Sequence, residues 1–245
     1  PIQEAQIIES FLLNTINVAT TICSKAARVV LAAGSRGVYD FSLRRTQGHH
    51  AALVAARSSY IAGCQGTSNV LAGMLYGIPI VGTMAHSFIM SFRQEQESFR
   101  AYASTFPNNT ILLVDTYDYK KGIKNAILIA RELEAKGHKL KAIRLDSGNL
   151  VKVSKFARCI LDSHGLDYVK VLASGNLDEF KIERLIRSKA MIDNFGVGTN
   201  MGVAVDAPYL DVIYKLSQID DSWGNSRPVM KLSKNKITYP GKKQV

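Results

Sequence analysis

Residues 140–176 read LKAIRLDSGNLVKVSKFARCILDSHGLDYVKVLASGN, and this stretch decides the fold. A short apolar run, Leu140–Leu145, ends in Asp146-Ser147-Gly148. A helical stretch, Leu150–His164, follows it, and a second apolar run, Tyr168–Ala173, ends in Ser174-Gly175-Asn176. The two runs are continuous rather than alternating, as strands buried on both faces of a parallel sheet require. The stretch is therefore one βα unit handing over to the next.

The same rhythm extends outward in both directions. Further strands are expected at Val38–Phe41, Ile78–Met84, Thr110–Asp115, Met191–Phe195 and Leu210–Leu216. The expected helices are His49–Tyr60, Thr67–Tyr76, Phe88–Ser104, Gly122–Lys136 and Asp178–Lys189. Successive strands lie roughly 20 to 30 residues apart, the size of a βα unit. About seven units predict an irregular α/β barrel with parallel strands, a doubly wound open sheet being the alternative. Ahead of them, 3–33 holds no Gly or Pro until Gly34, and Ile7, Ile8, Phe11, Leu12, Ile16, Ala19 and Ile22 recur at helical spacing. One long amphipathic helix is expected there. After Ser217 the rhythm gives way to a polar, basic stretch, so 1–220 is expected to form the barrel with its helix. Residues 221–245 would then be an exit segment towards a small mixed domain largely absent from the chain.

Composition narrows the function. The chain has 245 residues, 47% of them hydrophobic, so neither disorder nor a shortage of core is expected. Cys23, Cys64 and Cys159 are odd in number and share no metal-ligand spacing, which reads as reduced thiols in a cytoplasmic protein. The most apolar stretch, Ile7–Ile22, is interrupted by Glu9, Ser10, Asn14 and Asn17, so no membrane partner is expected. The net charge of +11 favours polyanionic partners. Lys231, Lys234, Lys236, Lys242 and Lys243 lack a recognised nucleic-acid module, and they read as a solvated face.

Polar residues fall at the ends of nearly every expected strand. Asp40 to Arg45, His86-Ser87, Asp115 to Asp118, Asp146 to Gly148, Ser174 to Asn176 and Gly196 to Thr199 would converge where parallel α/β folds bind ligands. Any one cluster is accounted for by helix capping; six together indicate a catalytic ring. Ser174, Gly175, Gly196, Gly198 and Thr199 lie in two loops suited to a phosphate, although neither is a Walker A loop. Asp115 and Asp146 are placed to hold a metal ion or a ribose diol, Asp146 also having Arg144 beside it. His86, after an apolar strand, reads as a poised imidazole.

The ordered motifs Asp40-Phe41-Ser-Leu-Arg44-Arg45-Thr-Gln-Gly48, Gly66-Thr67-Ser68-Asn69, Gly82-Thr83-Met-Ala-His86-Ser87, Arg144-Leu-Asp146-Ser-Gly148 and Phe195-Gly196-Val-Gly198-Thr199 resemble those of nicotinate phosphoribosyltransferases, from about Phe11 to Lys231. The resemblance implies a type II phosphoribosyltransferase that works as a homodimer. Its reaction makes nicotinate mononucleotide and pyrophosphate from nicotinate and phosphoribosyl pyrophosphate, with ATP hydrolysis coupled to it and Mg²⁺ required. By the same resemblance, His86 is the residue phosphorylated by ATP, and Asp115 and Asp146 bind ribose hydroxyls or Mg²⁺. Phe41 stacks on the pyridine ring, Arg44 and Arg144 meet the anionic ends of the ligands, and Ser68 sits near the nicotinate carboxylate. The loops at Ser174-Gly175 and Gly196–Thr199 hold the 5′-phosphate. Asn149 and Asn176 stand where many relatives carry Asp, which argues against a metal role for those two positions. The chain alone is expected to be weakly active or inactive. A nicotinamide-using relative and a non-catalytic nucleotide-binding barrel are the alternatives, with Ser68 favouring the acid.

Overall fold

The structure, a computed structural model, describes residues 2–244. By contacts these fall into two units, 18–209 and 2–17 with 210–244.

The larger unit is built on six parallel strands: β1 (Gly37–Asp40), β2 (Gly66–Thr67), β3 (Ile111–Leu113), β4 (Ala142–Leu145), β5 (Lys170–Ala173) and β6 (Asn194–Val197). Their order is β2-β1-β6-β5-β4-β3. Pairing of the first strand with the last, Val38 opposite Phe195 and Asp40 opposite Val197, is the register of a sheet curling on itself rather than of a doubly wound one. The expected barrel is therefore present, as a curled sheet open between β2 and β3.

Helices cover the outside of the sheet: α2 (His49–Ile61), α3 (Val70–Tyr76), α4 (His86–Met90), α5 (Glu95–Thr105), α6 (Tyr119–Glu134), α7 (Leu150–Ser163), α8 (Glu179–Arg187) and the single turn α9 (Thr199–Gly202). Leu112, Ile143, Val171 and Phe195 of the strands are fully buried together with Ile123, Ile129, Leu161 and Ile182 of the helices. Each such side chain stabilises the fold by roughly 1.5–3 kcal/mol relative to exposure. Polar caps start the helices that follow strands. Asp118, Asn149 and Asp178 accept the backbone N–H of Lys121, Lys152 and Lys181, and this is the role the structure gives Asn149.

Helix α1 (Ile2–Ala33) is continuous and ends at Gly34, whose φ of +62° an L side chain rarely adopts. By length and composition it is apolar enough to cross a membrane, a test that core helices also pass; a third of its most apolar window is buried. In the smaller unit Asn17 and Leu210 exchange two hydrogen bonds, of 2.7 and 3.1 Å. The boundary expected at 220/221 falls within a hairpin of β7 (Gln218–Asp220) and β8 (Ser226–Pro228).

Four local expectations are corrected. Ile78–Met84 is no strand: Pro79 has no N–H to donate, and pairing shrinks to one bridge between Ile80 and Thr67. Thr67, expected to open a helix, belongs to β2 with Gly66, and the helix waits for the Asn69 cap. Phe88–Ser104 divides into α4 and α5, because Gln94 and Glu97 form a capping box that starts a new helix. Leu210–Leu216 forms no strand, and the hairpin follows it instead.

Candidate active site

A cavity of about 550 Å³ opens at the carboxyl ends of the strands, lined by residues that include Phe41, Arg44, Ser68, Thr83, His86, Arg144 and Asp146. The strands deliver these groups directly. Asp40 ends β1 and Phe41 follows it; Arg144 and Asp146 flank the last residue of β4; His86 opens α4.

Arg144 is the organising group. Its Nε donates to Ser174 Oγ at 2.8 Å, Nη1 to Thr83 Oγ1 at 2.8 Å and Nη2 to Asp146 Oδ1 at 2.7 Å. A guanidinium has five N–H donors, so these three bonds leave two. The guanidinium carbon lies 5.8 Å from the centre of the Phe41 ring, within cation–π range. Ser174 is buried and also donates to Asp146 Oδ1. Burial works against ionisation of Asp146, but the Arg144 charge and the hydrogen bonds from Ser174 and Arg144 outweigh it, with His86 adding to them. The carboxyl is thereby held below its ordinary value and stays charged.

His86 shares a 3.0 Å hydrogen bond between Nδ1 and Thr116 Oγ1. Its Nε2 lies 3.6 Å from Asp146 Oδ2, an electrostatic contact rather than a hydrogen bond. Asp115 accepts the Asp146 backbone N–H at 2.8 Å and the Ser147 hydroxyl at 2.7 Å, both on Oδ2. Its other oxygen, Oδ1, is buried without a hydrogen-bond partner. Among the described residues no group of three or more His, Cys, Asp or Glu is arranged to hold a metal ion. Mg²⁺ is commonly bound by one or two carboxylates plus substrate phosphates. The free Asp115 oxygen beside Asp146 fits an ion of that kind, completed by a substrate.

The two glycine loops lie at the same end of the sheet. Gly175 has φ +99°, and a Cβ there would meet the Asp146 carbonyl oxygen at 2.2 Å, so the β5 loop closes tightly on the β4 loop. A Cβ on Gly196 would stand 2.4 Å from the Phe41 ring, and one on Gly198 would stand 2.8 Å from the Phe41 carbonyl oxygen. Gly196 and Gly198 thus make room for Phe41, while Thr199 opens α9. Asn176, at φ +49°, offers its carbonyl and side-chain oxygens to Asn200 Nδ2, which joins one loop to the other.

Sequence reasoning gave no individual role to three groups. Thr116, which engages His86, stands next to the Asp115 that was singled out. Thr83, which holds Arg144, lies in a quoted motif. Asp40 is buried at the strand end, accepting from Ser42 N–H at 2.9 Å and Thr67 Oγ1 at 2.8 Å; burial raises its carboxyl pKa against those bonds. Asp40 orients the backbone on either side of Phe41 and Ser68.

A curled parallel α/β sheet carrying a clamped guanidinium, an aromatic ring, an imidazole and two carboxylates at its strand ends has the layout of a barrel enzyme. The chain belongs to the nicotinate phosphoribosyltransferase family, whose model matches residues 37–244. It is 49% identical over its whole length to nicotinate phosphoribosyltransferase pncB2 of Mycobacterium tuberculosis, of which it covers 51%. Against the Bacillus subtilis nicotinate phosphoribosyltransferase it is 42% identical, covering 50% of that protein. Among solved structures, the Pyrococcus furiosus nicotinate-nucleotide pyrophosphorylase matches with a TM-score of 0.72 at 32% identity, over 84% of this chain and 51% of that one. The chain spans about half the length of the curated relatives it matches.

Proposed function

We propose that the protein transfers the phosphoribosyl group of phosphoribosyl pyrophosphate to nicotinate, giving nicotinate mononucleotide and pyrophosphate in NAD salvage, with ATP hydrolysis coupled through phosphorylation of His86. The observation that carries this reading is Arg144, immobilised by three partners with two N–H donors left over and Phe41 beneath it. Nicotinate is a flat aromatic ring with a carboxylate, and a guanidinium over an aromatic ring suits both parts. Ser68, lining the same cavity, offers a hydroxyl where an acidic side chain would repel the anion.

In the transfer, the pyridine nitrogen lone pair forms a bond to C1′ as the bond from C1′ to pyrophosphate breaks, and the electron pair leaves with pyrophosphate. The sugar gains positive charge on the way, so the ionised Asp146 and its neighbour Asp115 stabilise it electrostatically. Arg44, exposed at the cavity rim, faces the anionic leaving group, and the loops at Ser174-Gly175 and Gly196–Thr199 receive the 5′-phosphate. Asp115 and Asp146 would hold Mg²⁺, which would neutralise charge on the departing pyrophosphate. For the coupled reaction, Thr116 engages His86 Nδ1 and leaves Nε2 to attack the γ-phosphorus of ATP; a nitrogen–phosphorus bond forms and ADP departs. Water later cleaves the phosphohistidine. We place the protein in the cytoplasm, consistent with three free cysteines, and as a homodimer, consistent with apolar side chains as exposed as Phe11 and Trp223.

The test is product formation by the full-length protein with phosphoribosyl pyrophosphate, Mg²⁺ and either nicotinate or nicotinamide, with and without ATP. Nicotinate mononucleotide that rises with ATP, and loses that rise in His86→Ala, supports the reading. Turnover of nicotinamide alone, or of neither base by folded protein, overturns it.

A further inference from the structure

Helix α1 carries a buried charge cluster that the reaction does not use. Lys25 is only 2% exposed, yet its ammonium lies 2.8 Å from Glu179 and 2.7 Å from Asp206. Arg28, one turn on, reaches the same two carboxylates at 3.4 and 2.7 Å. Two cations meet two anions, so the cluster is neutral.

The positions of the two carboxylates are informative. Glu179 is the first residue of α8, directly after the loop 174–178. Asp206 lies four residues beyond the end of α9 (Thr199–Gly202), the turn that the second glycine loop opens. One lysine therefore ties together the segments that follow both glycine loops. At their upper side the same loops are joined by Asn200 Nδ2, which donates to Asn176 and to the Leu177 carbonyl. A buried ion pair is weak evidence for stability, because apolar groups of the same shape often serve as well or better. What a lysine between two carboxylates adds is fixed geometry between the chain segments that bear them.

We infer that Lys25 is a positioning residue that locks the loops 174–178 and 198–202 into one rigid unit, so that they present a single preformed site to the phosphate end of the co-substrate. The identity of that ligand rests on the function proposed above; the locking does not. Nothing in the cluster touches the cavity, so the effect passes through the backbone of both loops.

Two readouts on the full-length protein separate these parts. Hydrogen exchange without substrate tests the lock. In Asp206→Asn and Lys25→Met, amides of 174–178 and of 198–202 should exchange at least tenfold faster together, while those of β4 stay unchanged. Asp206→Asn keeps the Lys25–Glu179 pair and is the variant to rely on should Lys25→Met fail to fold. Kinetics test the purpose: the KM for phosphoribosyl pyrophosphate should rise about tenfold, with kcat and the nicotinate KM within twofold. Uniform acceleration of exchange, or loosening of one loop alone, overturns the lock, and loosened loops with an unchanged phosphoribosyl pyrophosphate KM overturn its purpose. A wild type that does not use phosphoribosyl pyrophosphate sinks the proposed function instead, and the exchange data then judge the lock by themselves.

Discussion

Gly196→Ala tests whether this glycine exists to admit Phe41. The new methyl would stand 2.4 Å and 2.6 Å from two ring carbons of Phe41, and the φ of Gly196 adds no backbone strain of its own. Carbon atoms rest at about 3.5–4.0 Å, so the ring must retreat by about 1 Å or more. Overpacking of this kind costs about 1–3 kcal/mol. The retreat also disturbs the 5.8 Å stack with Arg144, a contact of about 0.5–1 kcal/mol. Gly82→Ala is the control: it lines the same cavity, yet its Cβ would meet nothing within 4 Å. Chemical denaturation of the full-length protein should show Gly196→Ala destabilised by about 1–3 kcal/mol and Gly82→Ala near wild type. In a Phe41→Leu background most of the Gly196→Ala cost should vanish, giving a coupling of about 1 kcal/mol or more. The nicotinate KM should rise about fivefold, the equivalent of about 1 kcal/mol. Additive energies refute the packing argument. So does a variant of wild-type stability, since the Phe41 ring would then have yielded at no cost.

Three further outcomes follow from single contacts. Gly122→Ala, within α6, would ordinarily gain about 0.5–1 kcal/mol of helix propensity, but its Cβ would lie 2.0 Å from the Val114 carbonyl oxygen. The clash wins, and we expect a net loss of about 2 kcal/mol or more in denaturation, with kcat of the folded enzyme retained. Thr116→Val removes the hydroxyl on His86 at small cost to stability; a net hydrogen bond of about 1 kcal/mol sets the expected loss of ATP stimulation at roughly fivefold. Asp146 has a depressed pKa in the folded protein, so its contribution to stability is present above the ordinary carboxyl pKa and is lost as pH falls through the lower folded value. Subtracting the acid limb of Asp146→Asn from that of wild type should leave a positive difference that shrinks on acidification. A difference that grows on acidification would contradict the assignment.

Much of the architecture was legible because burial on both faces leaves a local mark: continuous apolar runs at Ile143, Val171 and Phe195, each followed by a polar or glycine cluster before the next helix. What escaped depended on partners distant in sequence. Ile78–Met84 has a strand's composition, but Pro79 removes a donor that only the neighbouring edge reveals as needed. The break between α4 and α5 carries no Gly or Pro; only the reciprocal bonds of Gln94 and Glu97 mark it. The site residues were readable as types at strand ends, whereas their wiring, Arg144 to Thr83 across 61 residues, was not. Lys25 left a faint signal, a charge three residues after Ile22 on the apolar stripe of its helix. Its partner Glu179, 154 residues away, could not be inferred from spacing.

The most direct test is a crystal structure of the full-length protein with nicotinate mononucleotide. The account predicts the pyridine ring against Phe41 with its carboxylate on Arg144, and the 5′-phosphate at 174–176 and 196–199. A nucleotide bound with its ring outside this cavity, or its phosphate away from both loops, would contradict the site.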